Sequence, residues 1–167
     1  MVAEARISIR PLAQHDRFFF HANYSSESFD PNDDFGLAIW NCASGAMPVL
    51  IADVDPLVVC PSDTGTGITL PDLVYAAVIP AGTCTNSGRS CSYRNPDVDA
   101  QNAGVRYFRV QYATRSFRNR VWLESYGDLT AATQANMLLV ITINGKPRAV
   151  LEDTFTPLGD GGWFSDF

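Results

Sequence analysis

Lysine, histidine and long apolar runs are scarce in this chain of 167 residues, and each absence excludes a class of protein. Lys146 is the single lysine among 12 basic residues, and aspartate outnumbers glutamate among the 18 acidic ones. Glutamate and lysine favour helix surfaces, whereas aspartate bonds its own backbone in turns, so this composition argues against a helical protein. The net charge of −6 argues against a general binder of nucleic acid, because phosphate binding needs a positive surface.

We expect neither a transmembrane helix nor a signal peptide in this sequence. No run of about 18 apolar residues is present, so we expect no transmembrane helix. The first residues have neither a basic segment nor an apolar one, and we expect that they are not a signal peptide. An apolar fraction of 46% at this length predicts one domain with a core that need not depend on disulfides.

Catalytic motifs are equally scarce. The two histidines are His15 and His21, and no Gly-x-Ser-x-Gly motif accompanies them. The glycines of 64–67 are followed by no lysine, which excludes a phosphate-binding loop of the usual type. We therefore predict no enzyme, with a hydrolase that uses paired carboxylates as the third-ranked function.

Four cysteines are present as two closely spaced pairs, Cys42 with Cys60 and Cys84 with Cys91. An even count at short intervals is typical of a disulfide framework, and neither spacing suits zinc. Four cysteines allow three pairings, of which locality favours these two. Either the chain is a mature protein with an added methionine, or it is cytosolic with free thiols. We expect the first, which predicts a secreted or cell-surface protein.

Alternating apolar and polar residues recur along most of the chain and predict strands. The candidate strands are 6–10, 17–24, 35–40, 48–52, 57–60, 73–79, 105–112, 118–126, 137–143 and 148–152. Asn144-Gly145 predicts a type I′ hairpin, after which Pro147 indicates a late start or an edge strand. We predict an all-β antiparallel sandwich, Ig-like or jelly-roll-like, with eight to ten strands and little helix. Residues 1–158 are expected to form this one domain, and 159–167 a Gly/aromatic tail.

Acidic loops carry two sets of alternating side chains with oxygen ligands. The first set is Asp30, Asn32 and Asp34, and the second is Asn95, Asp97 and Asp99. Calcium prefers such oxygens, although neither set has the glycine and glutamate of an EF-hand. The alternative is ordinary turn chemistry, in which Asx side chains bond nearby backbone. Calcium is the single cofactor that the sequence suggests.

Arginine and aromatic residues crowd two candidate strands. The candidate ligand residues are Arg106, Tyr107, Arg109, Arg120 and Trp122. Arginine beside aromatics suits anionic or sugar ligands. The alternatives are cross-strand pairing with Glu124, Glu152 or Asp153, and a tryptophan that lies in the core.

Two segments, 29–40 and 121–129, resemble Ig-like β-sandwich domains of secreted or surface-attached bacterial proteins. The resemblance implies a sandwich at the cell surface, and it transfers no functional residue. We expect a non-catalytic structural, assembly or adhesion module, for which self-assembly or a protein partner is favoured over a small molecule. The alternative is a module that binds carbohydrate, or another ligand with calcium.

Overall fold

The computed structural model describes residues 4–10, 16–24, 32–51, 58–61, 68–87, 90–98, 104–111, 119–159 and 162–166. Over these ranges every regular element is a β-strand, and no helix occurs. The first strands are β1 (Glu4–Arg10), β2 (Asp16–Tyr24), β3 (Phe35–Asn41), β4 (Val49–Leu50), β5 (Val58–Pro61), β6 (Ile68–Thr69) and β7 (Asp72–Ile79). The others are β8 (Thr85–Asn86), β9 (Ser90–Arg94), β10 (Gly104–Gln111), β11 (Asn119–Gly127), β12 (Asn136–Ile143), β13 (Lys146–Thr154), β14 (Thr156–Pro157) and β15 (Trp163–Asp166).

These strands form three antiparallel sheets. The largest has eight strands in the order β14-β15-β1-β2-β11-β10-β9-β8. A second sheet has four strands, β13-β12-β3-β7, and a small one has three, β4-β5-β6. Strands that are distant in sequence are therefore neighbours, as where β2 pairs with β11.

The core lies between the eight-stranded and the four-stranded sheet. Alternate residues of β2, β10 and β11 face alternate residues of β3, β7 and β12 across one continuous apolar cluster. Rings meet across it, with the centroids of Phe35 and Phe108 4.6 Å apart and those of Phe18 and Tyr75 also 4.6 Å apart. Two sheets packed face to face around one core make the fold a β-sandwich, which confirms the predicted fold class.

A third layer covers the outer face of the four-stranded sheet. In β12 the side chains Leu138 and Val140 point away from the main core, yet both are fully buried. They pack against Val58 of the small sheet, with Trp40 and Leu50 beside them. Strand β12 is therefore buried on both faces, which explains why it is apolar almost throughout.

Several elements differ from their predicted bounds or lie in segments for which the sequence predicts no strand. Strand β13 begins directly at Lys146 and lies at a sheet edge, which is one of the two arrangements that Pro147 indicates. Strand β9 lies between the candidate strands 73–79 and 105–112, where the sequence predicts no strand, and β15 lies in the predicted tail, where it pairs with β1 and β14. The strand count exceeds eight to ten partly because four strands are two residues long.

Candidate ligand-binding face

Strands β10 and β11 place their polar residues on the outer face of the eight-stranded sheet. Their alternate residues Phe108, Val110, Val121 and Leu123 are fully buried in the core. The residues between them therefore project outward. In register, Arg109 lies opposite Trp122, and Tyr107 lies opposite Glu124.

Trp122 is the centre of one cluster on this outer face. The His21 ring of β2 stacks on it with centroids 5.1 Å apart and an interplanar angle of 11°. From the other side of β11, the Arg109 guanidinium carbon lies 5.8 Å from the ring centroid. Burial and then the charge of Arg120 lower the pKa of His21, so the stacked imidazole is neutral at pH 7. Trp122 is half-buried and contacts both His21 and Arg109.

A groove of ≈ 520 Å³ opens on the same face, two residues along the strands from Trp122. Three arginines line it together with one carboxylate, three aromatic rings and a proline. These residues are Arg17, Arg94, Arg106, Glu124, Phe19, Tyr107, Tyr126 and Pro96.

Two of the three groove arginines are held in place by neighbours. Arg17 Nη2 lies 2.9 Å from Glu124 Oε1, and the Arg94 guanidinium carbon lies 5.7 Å from the Tyr107 centroid. Within the described part of the chain, Arg94 and Arg106 have no carboxylate at ion-pair distance. Counted over its described lining residues, the groove therefore carries a surplus of two positive charges in a chain whose net charge is −6.

The structure places the five residues that the sequence singles out on or beside this face. Arg106 lies at a β-bulge and lines the groove with Tyr107, while Arg109 and Trp122 belong to the neighbouring cluster. Arg120 is exposed on β11, close enough to influence His21.

Sequence reasoning missed several groove residues, of which Arg17 and Arg94 matter most. Both reach the groove only because β2 pairs with β11 and β9 pairs with β10. No local sequence pattern indicates which strands are neighbours in the sheet.

Asp34 and Asn95 of the acidic loops make turn and bridging contacts. Asp34 Oδ1 accepts a hydrogen bond from Ala81 N at 2.6 Å, and Asp34 N donates to Asn144 Oδ1 at 3.0 Å. Asn95 Oδ1 accepts from Asp97 N at 3.1 Å in an Asx turn.

The two calcium sets are only partly described. Asn32 is exposed at the turn before β3, and Asp30 and Asp99 lie outside the described residues. In the described ranges, no group of three or more His, Cys, Asp or Glu side chains is placed to hold a metal ion.

Both cysteine pairs form disulfides, Cys42–Cys60 and Cys84–Cys91, with Cα–Cα distances of 5.7 and 5.5 Å. This is the pairing that locality favours. The first bond ties the end of β3 to β5, and so fixes the small sheet on the four-stranded one. The second closes the β8–β9 hairpin at the edge of the eight-stranded sheet.

Comparison of the chain with protein-family models, curated proteins and solved structures finds no match. The antiparallel sheets are compatible with the resemblance to Ig-like domains at the level of a β-sandwich. In the part of the chain that the structure describes, no helix is long and apolar enough to cross a membrane.

Proposed function

We propose that this protein is a non-catalytic adhesion module that binds an acidic carbohydrate, carboxylated or sulfated, in the groove of the outer face. The observation that carries the proposal is the groove itself, where Arg94 and Arg106 lack a carboxylate partner among the described residues. A concentration of positive charge in an acidic chain favours an anionic ligand.

Arginine suits carboxylates and sulfates because its planar guanidinium donates two parallel hydrogen bonds to such groups. The Arg94 guanidinium lies over the Tyr107 ring, and Arg17 forms an ion pair with Glu124. Both contacts restrict the arginine side chains before a ligand binds. Side chains held before the ligand arrives lose less conformational entropy on binding. The aromatic walls, Phe19, Tyr107 and Tyr126, offer apolar surface for the carbon face of a sugar ring.

The Trp122 cluster extends this surface for a polymeric ligand. Arg109 is two residues after Tyr107 on β10. At a rise of roughly 3.3 Å per residue, the two positions are about 7 Å apart. Because His21 stacks on Trp122 and Arg109 lies over it, we assign Arg109 the ligand contact and Trp122 the role of its support.

The groove chemistry favours binding over hydrolysis. Glycoside hydrolysis normally uses two carboxyl groups, one as acid and one as base or nucleophile. Glu124 is the single carboxylate among the described residues that line the groove, and it is paired with Arg17.

The test is a binding titration with three polymers: polygalacturonate, dextran sulfate and neutral dextran. We expect the wild type to bind at least one acidic polymer and not neutral dextran, with affinity that falls as salt rises. The double variant Arg94→Ala/Arg106→Ala removes the two groove arginines that lack a carboxylate partner among the described residues. It is expected to weaken binding about tenfold or more per arginine.

The matched control is Arg148→Ala, which removes an exposed arginine from β13 on the other sheet. It is expected to leave the affinity within about twofold, since long-range charge effects are screened by salt. Equal losses in the two variants, or binding of no acidic polymer, would overturn the proposal. Excess EDTA is expected to change nothing, and a loss of binding in EDTA would favour the calcium-dependent alternative.

A further inference from the structure

The two edge strands of the four-stranded sheet differ in chemistry. Strand β13 carries Lys146, Pro147, Arg148 and Glu152, and charges and proline at an edge oppose pairing with another chain. Strand β7 has no charged residue after Asp72, its first residue. Charges and proline therefore protect the β13 edge against pairing with another chain, and the β7 edge has no such protection.

Two large apolar side chains of β7 are open to solvent. Leu73 is 51% exposed and Val78 is 62% exposed. In the described residues β7 pairs with β3 alone, so no strand takes the hydrogen-bonding groups of its other edge. An uncharged, apolar and unpaired edge strand is a template for a further strand.

A groove of ≈ 570 Å³ runs beside this strand. One wall is formed by the six consecutive β7 residues 73–78. The opposite wall comes from the start of β10, Gly104 and Val105, and from residues 125–128 at the end of β11. A wall of consecutive residues exposes backbone as well as side chains, as strand addition requires.

Two buried hydroxyl groups lie on these walls, those of Tyr75 and Ser125. Tyr75 is 8% exposed and Ser125 is 1% exposed, and neither hydroxyl has a well-formed hydrogen bond among the described residues. Burial raises the pKa of Tyr75, with a smaller opposing effect of the Ser125 hydroxyl, so the phenol stays protonated. Both hydroxyl oxygens are enclosed and have almost no accessible surface, so the part of this wall that is open to a partner is the unpaired backbone edge of β7.

We propose that β7 pairs antiparallel with β7 of a second copy of this chain, and joins two four-stranded sheets into one of eight. A twofold axis at Ala77 places Ala76 opposite Val78 on the outer side of the sheet and Tyr75 opposite Ile79 on the inner side. This register keeps the observed faces, since Ala76 and Val78 are exposed while Tyr75 and Ile79 are buried.

The second copy is favoured over another partner because the strand is complementary to itself. A twofold interface uses one patch twice, and this patch brings no like charges together although each chain carries −6. Strand β7 has a bulge before Tyr75, where its register with β3 shifts. The bulge limits regular pairing between the two copies to residues 75–79. Acidic carbohydrate binding uses the outer face of the other sheet, and among the described lining residues the two grooves share only Tyr126.

Sedimentation velocity of the full chain, from on the order of 1 μM to 1 mM, tests the pairing. We expect a monomer–dimer equilibrium in the wild type. Val78→Lys places a charge at the edge and is expected to give a monomer throughout. Val150→Lys is the control. It changes a 39% exposed position on β13, the opposite edge strand, and is expected to dimerise like the wild type.

A cysteine variant locates the interface without relying on a destabilised protein. Ala77→Cys is expected to form an intermolecular disulfide on mild oxidation, because residues opposite each other across antiparallel strands lie at disulfide distance. Val150→Cys is expected to form none. A wild-type monomer at every concentration, a dimer that resists Val78→Lys, or an Ala77→Cys dimer that forms no cross-link would overturn the proposal.

Discussion

The indole Nε1 of Trp163 donates a hydrogen bond to the carbonyl oxygen of Ala132 at 2.7 Å. The next carbonyl back along the chain, that of Ala131, accepts a second bond from Asn41 Nδ2 at 2.8 Å. Residues 128–135 therefore form a loop that is tied both to β15 of the large sheet and to β3 of the four-stranded sheet. The loop joins the two layers at this end of the sandwich.

The Trp163 bond can be removed while most of the ring packing is kept. Trp163→Phe is expected to lower the free energy of unfolding by about 1 kcal/mol, the usual net contribution of one hydrogen bond. Urea unfolding measures it. Leu70→Ala is the control, because Leu70 is 83% exposed and its truncation is expected to change stability by no more than about 0.5 kcal/mol. A Trp163→Phe protein as stable as that control would show that the bond contributes nothing.

Alternation was sufficient to predict which residues of the central strands face the core. Phe108 and Val121 are buried as their period-2 patterns predict, since a strand puts successive side chains on opposite faces. The hairpin at Asn144-Gly145 is also present, with φ angles of 51° and 72°, the left-handed values that a type I′ turn requires.

Strand neighbours and the groove could not be predicted in the same way. Strand β9, Ser90–Arg94, is short and polar, so its pattern does not stand out from a loop. Arg17 and Glu124 are 107 positions apart and meet because β2 lies beside β11. Pairing between distant segments depends on the whole fold, and no local propensity encodes it.

The two disulfides are expected to contribute unequally to the free energy of unfolding. By the loop-entropy relation, replacing Cys42 and Cys60 by alanine costs about 3 kcal/mol, and replacing Cys84 and Cys91 costs about 2 kcal/mol, since the separations are 18 and 7 residues. Urea unfolding of the two double variants measures the difference. Equal losses would mean that native packing, not loop closure, sets the effect.

The same two bonds are expected to differ in their resistance to reduction. Cys42 and Cys60 are both fully buried, whereas Cys84 is half-buried. Exchange needs access for the attacking thiolate, so Cys84–Cys91 is expected to be reduced first. Alkylation and mass spectrometry at increasing dithiothreitol measure the order, and earlier labelling of Cys42 or Cys60 would contradict it.

Gly36 and Thr142 lie opposite each other on β3 and β12, and a Cβ at position 36 would overlap Thr142 Oγ1. Gly36→Ala is therefore expected to destabilise the protein by about 2 kcal/mol. In a Thr142→Ala background the same change is expected to cost less by at least ~0.5 kcal/mol, because the overlapping atom is gone. Gly127→Ala, where the added carbon meets nothing within 4 Å, is the control. Additive losses in the double variant would reject the steric explanation.

The neutral His21 on Trp122 makes stability depend on pH in one direction. Burial, and secondarily the charge of Arg120, hold the pKa of His21 below its ordinary value of 6.5. As pH falls, the unfolded chain therefore takes up this proton before the folded protein does. The stabilisation from the neutral ring is complete above about pH 6.5 and is lost as pH falls through the folded pKa.

Two measurements test this dependence on His21. The urea midpoint is expected to fall more between about pH 7.5 and 5 in the wild type than in His21→Phe, which keeps an aromatic ring that cannot titrate. Every other titratable residue, His15 included, is present in both proteins, so parallel curves would show that His21 is not responsible. In a titration followed by NMR, Arg120→Gln is expected to raise the pKa of His21 toward 6.5 without reaching it, because burial is the larger cause. Arg148→Gln, on the opposite sheet, is expected to leave that pKa unchanged, and an equal shift in both variants would contradict a local effect of Arg120.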